Sequence, residues 1–370
     1  MAVPPTFSQQ LLRHPIRTLS RRYHQFRYDY SSGVDVPETL HAAVLYVPKK
    51  IGDGMAVFPV IRALQARGVP RIVIVASAYN EVVFRRIDDE RVEVVTIDQH
   101  RDIGATRAVA RDLKARHGRI DLCIEGTIRY SSAACCFVGT LQARCNLRLG
   151  GSPLRCYSPL GEAARSLHDR GGARPHCWAA LMREAGIAEV PGAYEFPIAA
   201  EDEQRVRRSV APLGPYVALN LEGGHPARQL SLDQGRRLCE LLHHEHGLPV
   251  VMVFGPDGEG KAQRLATDLP WVHLLALDVS LPHSVAIVKH AALVVTPDTA
   301  VLHMASAWNR PTLGLFARPQ RRWRPLAEHG AMIETGSHLA DLDMDEVARA
   351  LAALPLGDDA RSEHADRVRP

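Results

Sequence analysis

At 370 residues the chain is longer than one ordinary hydrophobic core organises, so two domains are expected. A composition that is 46% hydrophobic and 23% charged is that of a soluble globular protein, and a net charge of +4 is too mild to point to nucleic acid. No apolar run approaches the roughly 18 residues that span a bilayer, and no apolar signal core opens the chain. Seven cysteines at irregular spacing, with Cys135 and Cys136 adjacent, suggest neither a disulfide framework nor a zinc site.

From Pro15, which suits a first helical turn, to about residue 28, the apolar residues Ile16, Leu19, Tyr23 and Phe26 recur at helical spacing. Arg13, Arg17, Arg21, Arg22 and Arg27 accompany them, and no acid precedes Asp29. Such a helix suits an anionic membrane surface. The alternative is a helix packed on the body with a solvated basic face. A strand is expected over 40–47, running into the glycine loop Lys49-Lys50-Ile51-Gly52-Asp53-Gly54, then a helix over 56–67 closed by Gly68. Strands over 71–77, 92–97 and 120–125 alternate with helices over 80–86 and 103–116. That alternation describes a parallel, doubly wound sheet. A helix over 131–139, a strand over 145–150, an irregular stretch to 172 and a helix over 176–184 complete the first half.

Residues 191–197 are expected to connect the halves. A second series follows a charged helix that begins near 201. Its strands are expected at 217–221, 249–254, 272–275, 293–297, 311–316 and 331–334, with helices at 231–244, 260–267, 282–290, 299–308 and 344–351. The expected divisions are a basic extension over 1–34, domains over 35–195 and 196–355, and a tail over 356–370.

Polar residues that follow these strands are the candidates for chemistry, because open α/β sheets bind ligands at the carboxyl ends of their strands. Asp298 lies between the strand at 293–297 and the helix that starts at Thr299. It is placed to cap that helix, and the N–H groups of Thr299, Ala300 and the first turn suit a pyrophosphate. His303 falls one turn further on. Its alternative is a place at the domain surface. In Gly223-Gly224-His225-Pro226-Ala227-Arg228, the glycines expose N–H groups and Arg228 offers a bidentate fork for phosphate, or a solvated charge at a helix start. Gly255 and Glu259 follow the next strand, where Glu259 either accepts from a ribose or caps the helix behind it. The arginine-rich run over 318–324 reads as a solvated charge cluster. Asp341, Asp343 and Asp345 sit at a helix start, where acids have an electrostatic reason to be.

Asp298-Thr299-Ala300-Val301-Leu302-His303-Met304-Ala305-Ser306-Ala307 resembles the Asp-Thr-Gly-x-x-His-x-x-Ala-Ala signature of glycosyltransferase family 9, the lipopolysaccharide heptosyltransferases, with Ala300 in place of the glycine. The stretch over 51–64, Ile-Gly-Asp-Gly-Met-Ala-Val-Phe-Pro-Val-Ile-Arg-Ala-Leu, is similar to the family's Gly-Asp segment. The resemblance spans roughly 42–335 and implies a GT-B fold, two Rossmann-like doubly wound domains facing across a cleft. It implies Asp53 as general base and Arg228 in place of a lysine at the leaving phosphate. Donor contacts are implied from Gly223, Gly224, Gly255, Glu259, Asp298, Thr299, Ala300 and His303, and acceptor contacts from Lys49, Lys50 and Gly52. The implied activity is an inverting transfer of heptose from an ADP-linked donor to a bacterial glycan or lipopolysaccharide core, with neither metal nor cofactor. Apart from the resemblance, the cysteine usage suggests a reducing cytoplasm, and the basic helix suggests peripheral inner-membrane contact. A transferase of another nucleotide sugar and a non-catalytic sugar-binding protein of the same fold remain the alternatives, and a general base at Asp53 is the feature that separates an enzyme from the latter.

Overall fold

The computed structural model describes residues 15–97, 102–128, 131–150 and 152–356, with the side chains of 15–17 outside that description. Arg13, the side chain of Arg17 and the tail 357–370 lie outside the described residues. The chain divides into two compact units, Met1–Gly192 and Ala193–Pro370.

In the first unit, helix α1 (Pro15–Tyr28) precedes strand β1 (Ala42–Tyr46), α2 (Ile51–Ala56), α3 (Phe58–Ala66), β2 (Arg71–Ser77), α4 (Glu81–Phe84), β3 (Val92–Ile97) and α5 (Ile103–His117). Then come β4 (Leu122–Glu125), α6 (Ser132–Leu141), β5 (Cys145–Arg148), α7 (Glu162–Asp169) and α8 (Arg174–Glu184). The strands form one parallel sheet in the order β3-β2-β1-β4-β5. Strands β1, β4 and β5 are buried along their whole length, as a sheet covered on both faces requires. The strand order reverses between β1 and β4, so the loops after these two strands flank the switch point, the usual ligand position in such sheets.

The second unit runs α9 (Ala200–Val210), β6 (Val217–Leu219), α10 (Leu232–His246), β7 (Val250–Met252), α11 (Glu259–Asp268), β8 (Val272–His273), α12 (Leu281–His290), β9 (Leu293–Pro297) and α13 (Ala300–Ala307). It closes with β10 (Thr312–Phe316), β11 (Gly330–Glu334) and α14 (Met344–Ala353). Its parallel sheet has the order β11-β10-β9-β6-β7-β8, with the switch between β6 and β9. Local sequence sets the helix starts: Ser231 and Gln234 form a reciprocal capping box at α10, and Asp343 accepts from the Asp345 N–H at α14.

Three expectations change. The glycine loop before 56 is helical: α2 already begins at Ile51, and neither Gly52 nor Gly54 has a positive φ. A break at Val57, before Pro59, separates α2 from α3. Thr299, not Asp298, caps α13: its hydroxyl accepts from the Val301 N–H. Helix α1 packs on α6 but turns Leu19, Tyr23 and Phe26 outward, so its exposed face is apolar as well as basic. All seven cysteines are buried free thiols.

Candidate functional site

The second unit's site grows from the end of β6. Asn220, 4% exposed, donates through Nδ2 to the Glu222 carbonyl (3.0 Å), Thr296 Oγ1 (3.1 Å) and Thr299 Oγ1 (3.2 Å), while its Oδ1 accepts from the Glu222 N–H (3.0 Å). One amide therefore ties the loop after β6 to the junction of β9 and α13. Beyond it the loop folds back on itself. A Cβ at Gly223 would meet the Arg228 carbonyl oxygen at 2.3 Å, so only glycine fits. The close return of its own loop accounts for this glycine. Gly224 is exposed at the loop tip. His225 Nδ1 accepts from the Ala227 N–H and starts a short helical turn, Pro226–Arg228.

That turn delivers Arg228 to Asp298, with Nη1 2.9 Å from the carboxylate. Asp298 is buried, and burial raises its pKa against the opposing pull of Arg228. The pair lies beside the N-terminus of α13, where Thr299 caps the first turn and Ala300 opens the helix without a positive φ. Fixed guanidinium and N–H donors at a switch point form an anion-receiving arrangement.

The loop after β7 is joined to the same region. Lys261 Nζ bridges the Glu222 carboxylate and the Leu230 carbonyl, each at 3.0 Å. Gly255 is exposed with open space around it, and Glu259 begins α11 on the surface, where it accepts from Gln263 rather than capping the helix. Nothing in the spacing of Asn220, Glu222 and Lys261 shows that they join these loops. The polar residue ending β6 was the available signal.

His303 is placed apart from these donors. Its ring is buried and stacks on Tyr194 (centroids 4.5 Å, 17° between planes), with Trp323 tilted against it at 5.1 Å. Burial pushes its pKa down to about 3, so the imidazole is neutral, and Nδ1 has no hydrogen-bond partner among the described residues. The alternative of a surface position is therefore excluded: the ring sits in an aromatic stack, with Trp323 supplied by the arginine-rich run.

In the first unit Asp53 sits in the first turn of α2, behind the loop that leaves β1. Burial raises its pKa, while Lys49, Arg174 and the backbone N–H of Lys50 pull it down. Arg174, at the start of α8, is 121 positions away along the chain and could not be read from the motif. Lys50 is exposed, and Lys49 and Gly52 are half-buried around the carboxylate. The loop itself is fixed: Asn80 donates to the Val47 carbonyl (2.8 Å) and the Ser77 hydroxyl to that of Lys49 (2.6 Å). A carboxyl held above its ordinary range beside cations is suited to taking a proton near neutrality. Among the described residues no group of three or more His, Cys, Asp or Glu is arranged to hold a metal ion.

The family model for glycosyltransferase family 9 (heptosyltransferase) matches residues 174–349. The uncharacterised protein YeeL of Escherichia coli K12 is 33% identical over 228 residues, covering 60% of this chain and 97% of YeeL. The crystal structure of a family 9 glycosyl transferase from Veillonella parvula matches with a TM-score of 0.64 at 14% identity, over 91% of this chain and 100% of that one. Escherichia coli heptosyltransferase WaaC, solved with ADP, matches with a TM-score of 0.62 at 18% identity, over 84% and 98% of the two chains. The architecture is thus that of a GT-B glycosyltransferase. Residues 174–349, which hold α8 and nearly all of the second unit, carry the glycosyltransferase family 9 match.

Proposed function

We propose that this glycosyltransferase moves a heptose from an ADP-linked donor to a glycan or lipopolysaccharide-core acceptor, with inversion and with neither metal nor cofactor. The observation that carries the reading is the Arg228–Asp298 pair at the β6/β9 switch point, beside the N-terminus of α13. The WaaC structures with ADP and with ADP-2-deoxy-2-fluoro heptose support the choice of donor. In this reading Arg228 and the first N–H groups of α13, from Thr299 and Ala300 onward, receive the departing diphosphate. Gly223 and Gly224 shape that loop, Gly255 and Glu259 border the nucleoside, and His303 supports the helix from behind. Asp53 takes the acceptor proton as the hydroxyl attacks the anomeric carbon, and the donor bond to the diphosphate breaks on the opposite face. Lys49, Lys50 and Gly52 line the acceptor side. We place the reaction in the cytoplasm, with peripheral contact at the inner membrane where the acceptor is lipid-linked.

The test pairs binding with turnover. Calorimetry with ADP, UDP and GDP should give a preference for ADP, and Asp53→Asn should keep that binding while lowering kcat by roughly two to four orders of magnitude. Wild-type kcat in Asp53→Asn would remove the base from the mechanism. A preference for UDP would instead favour the transferase of another nucleotide sugar.

A further inference from the structure

Helix α1 presents a surface that the catalytic reading does not use. Leu19, Tyr23 and Phe26 are 58%, 62% and 88% exposed. At 100° per residue they fall within an arc of about 60°, with Arg22 and Arg27 each about 40° beyond an edge. Both arginines are exposed, and the chain carries no acid before Asp29. The opposite face is anchored. Thr18 is buried, the His24 carbonyl accepts from the Cys135 thiol, and a Cβ at Gly139 would lie 2.2 Å from the Tyr28 carbonyl oxygen. The chain behind the helix is pinned too. Tyr30 donates to the Ala143 carbonyl (3.0 Å), and Asp29 accepts from the Cys156 N–H (3.1 Å) and pairs with Arg155. The outward stripe is therefore held in place on α6, not left to swing and bury itself.

We infer that α1 seats the enzyme on an anionic lipid bilayer, its apolar stripe entering the acyl boundary and its flanking arginines meeting lipid phosphates. Fourteen residues make a helix of about 21 Å, short of the roughly 30 Å hydrocarbon core, so it lies in the plane of the surface. Charge decides the occupant. A second copy docked symmetrically through this stripe would set arginines against arginines, whereas a bilayer rich in phosphatidylglycerol supplies the missing negative charge. The inference deepens the proposed membrane contact and is independent of the donor and base assignments, which ADP titration and turnover test separately.

The experiment compares the full-length chain with the triple variant Leu19→Ser, Tyr23→Ser, Phe26→Ser. Each is sedimented with vesicles of phosphatidylglycerol and phosphatidylcholine, and with phosphatidylcholine alone. Wild type should co-sediment with the anionic vesicles at low salt, be released as salt shortens the Debye length from about 30 Å to below 8 Å, and stay in solution with phosphatidylcholine alone. The triple variant should bind about tenfold less or weaker still, having lost its apolar contribution. An unchanged urea-unfolding curve and far-ultraviolet circular dichroism spectrum show that the variant is folded. Failure of the wild type to sediment with anionic vesicles overturns the inference, as does equal sedimentation of the variant. Light scattering that finds a wild-type dimer and a monomeric variant also overturns it, in favour of a second copy.

Discussion

Replacing Arg228 with glutamine probes the pair that joins the loops of the second unit. The guanidinium stands 2.9 Å from the Asp298 carboxylate, with side chains 41% and 9% exposed. At that separation the gross attraction is about 6 kcal/mol at an effective dielectric near 20, and about 1.4 kcal/mol in bulk water. The exposure of Arg228 moves the pair toward the watery end, and desolvation of Asp298 offsets more, which leaves a net of about 1–2 kcal/mol. The loss carries a pH signature. Burial already holds the Asp298 pKa above its ordinary 3.8; without Arg228 it rises further. A carboxyl with a raised folded pKa costs no stability below its unfolded value and costs progressively more as pH rises through the folded one. Arg228→Gln should therefore destabilise by about 1–2 kcal/mol near neutral pH, and the deficit should close as pH falls toward about 4. Urea unfolding across that range measures it. Calorimetry with ADP should show binding weakened roughly ten- to hundredfold, the worth of one charge-assisted contact. A stability loss that does not vary with pH, or wild-type ADP affinity in the folded variant, would refute the reasoning.

Arg174→Met should move the acid limb of the kcat/KM profile to higher pH, because Arg174 pulls the raised pKa of Asp53 down; a limb that stays put separates the two groups. Thr299→Ala should cost about 1 kcal/mol in urea unfolding, the usual worth of a cap, with no dependence on carboxyl titration. Gly139→Ala forces a Cβ against the Tyr28 carbonyl, so it should destabilise by about 1–3 kcal/mol and raise the rate of proteolysis within α1.

Most strands were legible because a parallel sheet covered on both faces needs short, continuous apolar runs, as in β2 and β9. What failed to show in the sequence depended on partners far along the chain. Asp298 and Thr299 are both good capping residues; in the fold Thr299 caps the helix while the Asp298 carboxylate pairs with Arg228, a partner seventy positions earlier. Gly54 looked like a turn former, yet it is helical, and a Cβ there would sit 3.3 Å from both Asn80 and Phe84. His303 looked accessible one turn into α13, but Tyr194 and Trp323 close over its ring from either side in sequence. Periodicity in α1 revealed an apolar stripe and could not tell which way it points. Of the candidate site, Arg228, Asp298 and Thr299 converge, whereas Glu259 and His303 make their contacts elsewhere.

A shared device explains how each unit fixes the loop that carries its charged groups. Asn80 is fully buried and accepts from the Ser77 N–H at 2.8 Å while donating to the Val47 carbonyl; Asn220 does the corresponding work after β6. Each asparagine therefore fixes the loop that leaves the first strand of its sheet. Leaving such a buried group unpaired would cost about 1–3 kcal/mol, enough to hold the loop shut against ordinary fluctuation. The hydrogen bonds are between neutral groups, so neither salt nor pH in the working range alters them. Lys49, Lys50 and Asp53 in one unit, and Arg228 in the other, inherit their positions from that neutral frame. Arg228 pairs at short range with the Asp298 carboxylate, from a side chain still 41% exposed. In the proposed reading, a diphosphate arriving there would compete with one carboxylate for a guanidinium already in position, with little reordering of the loop to offset the gain.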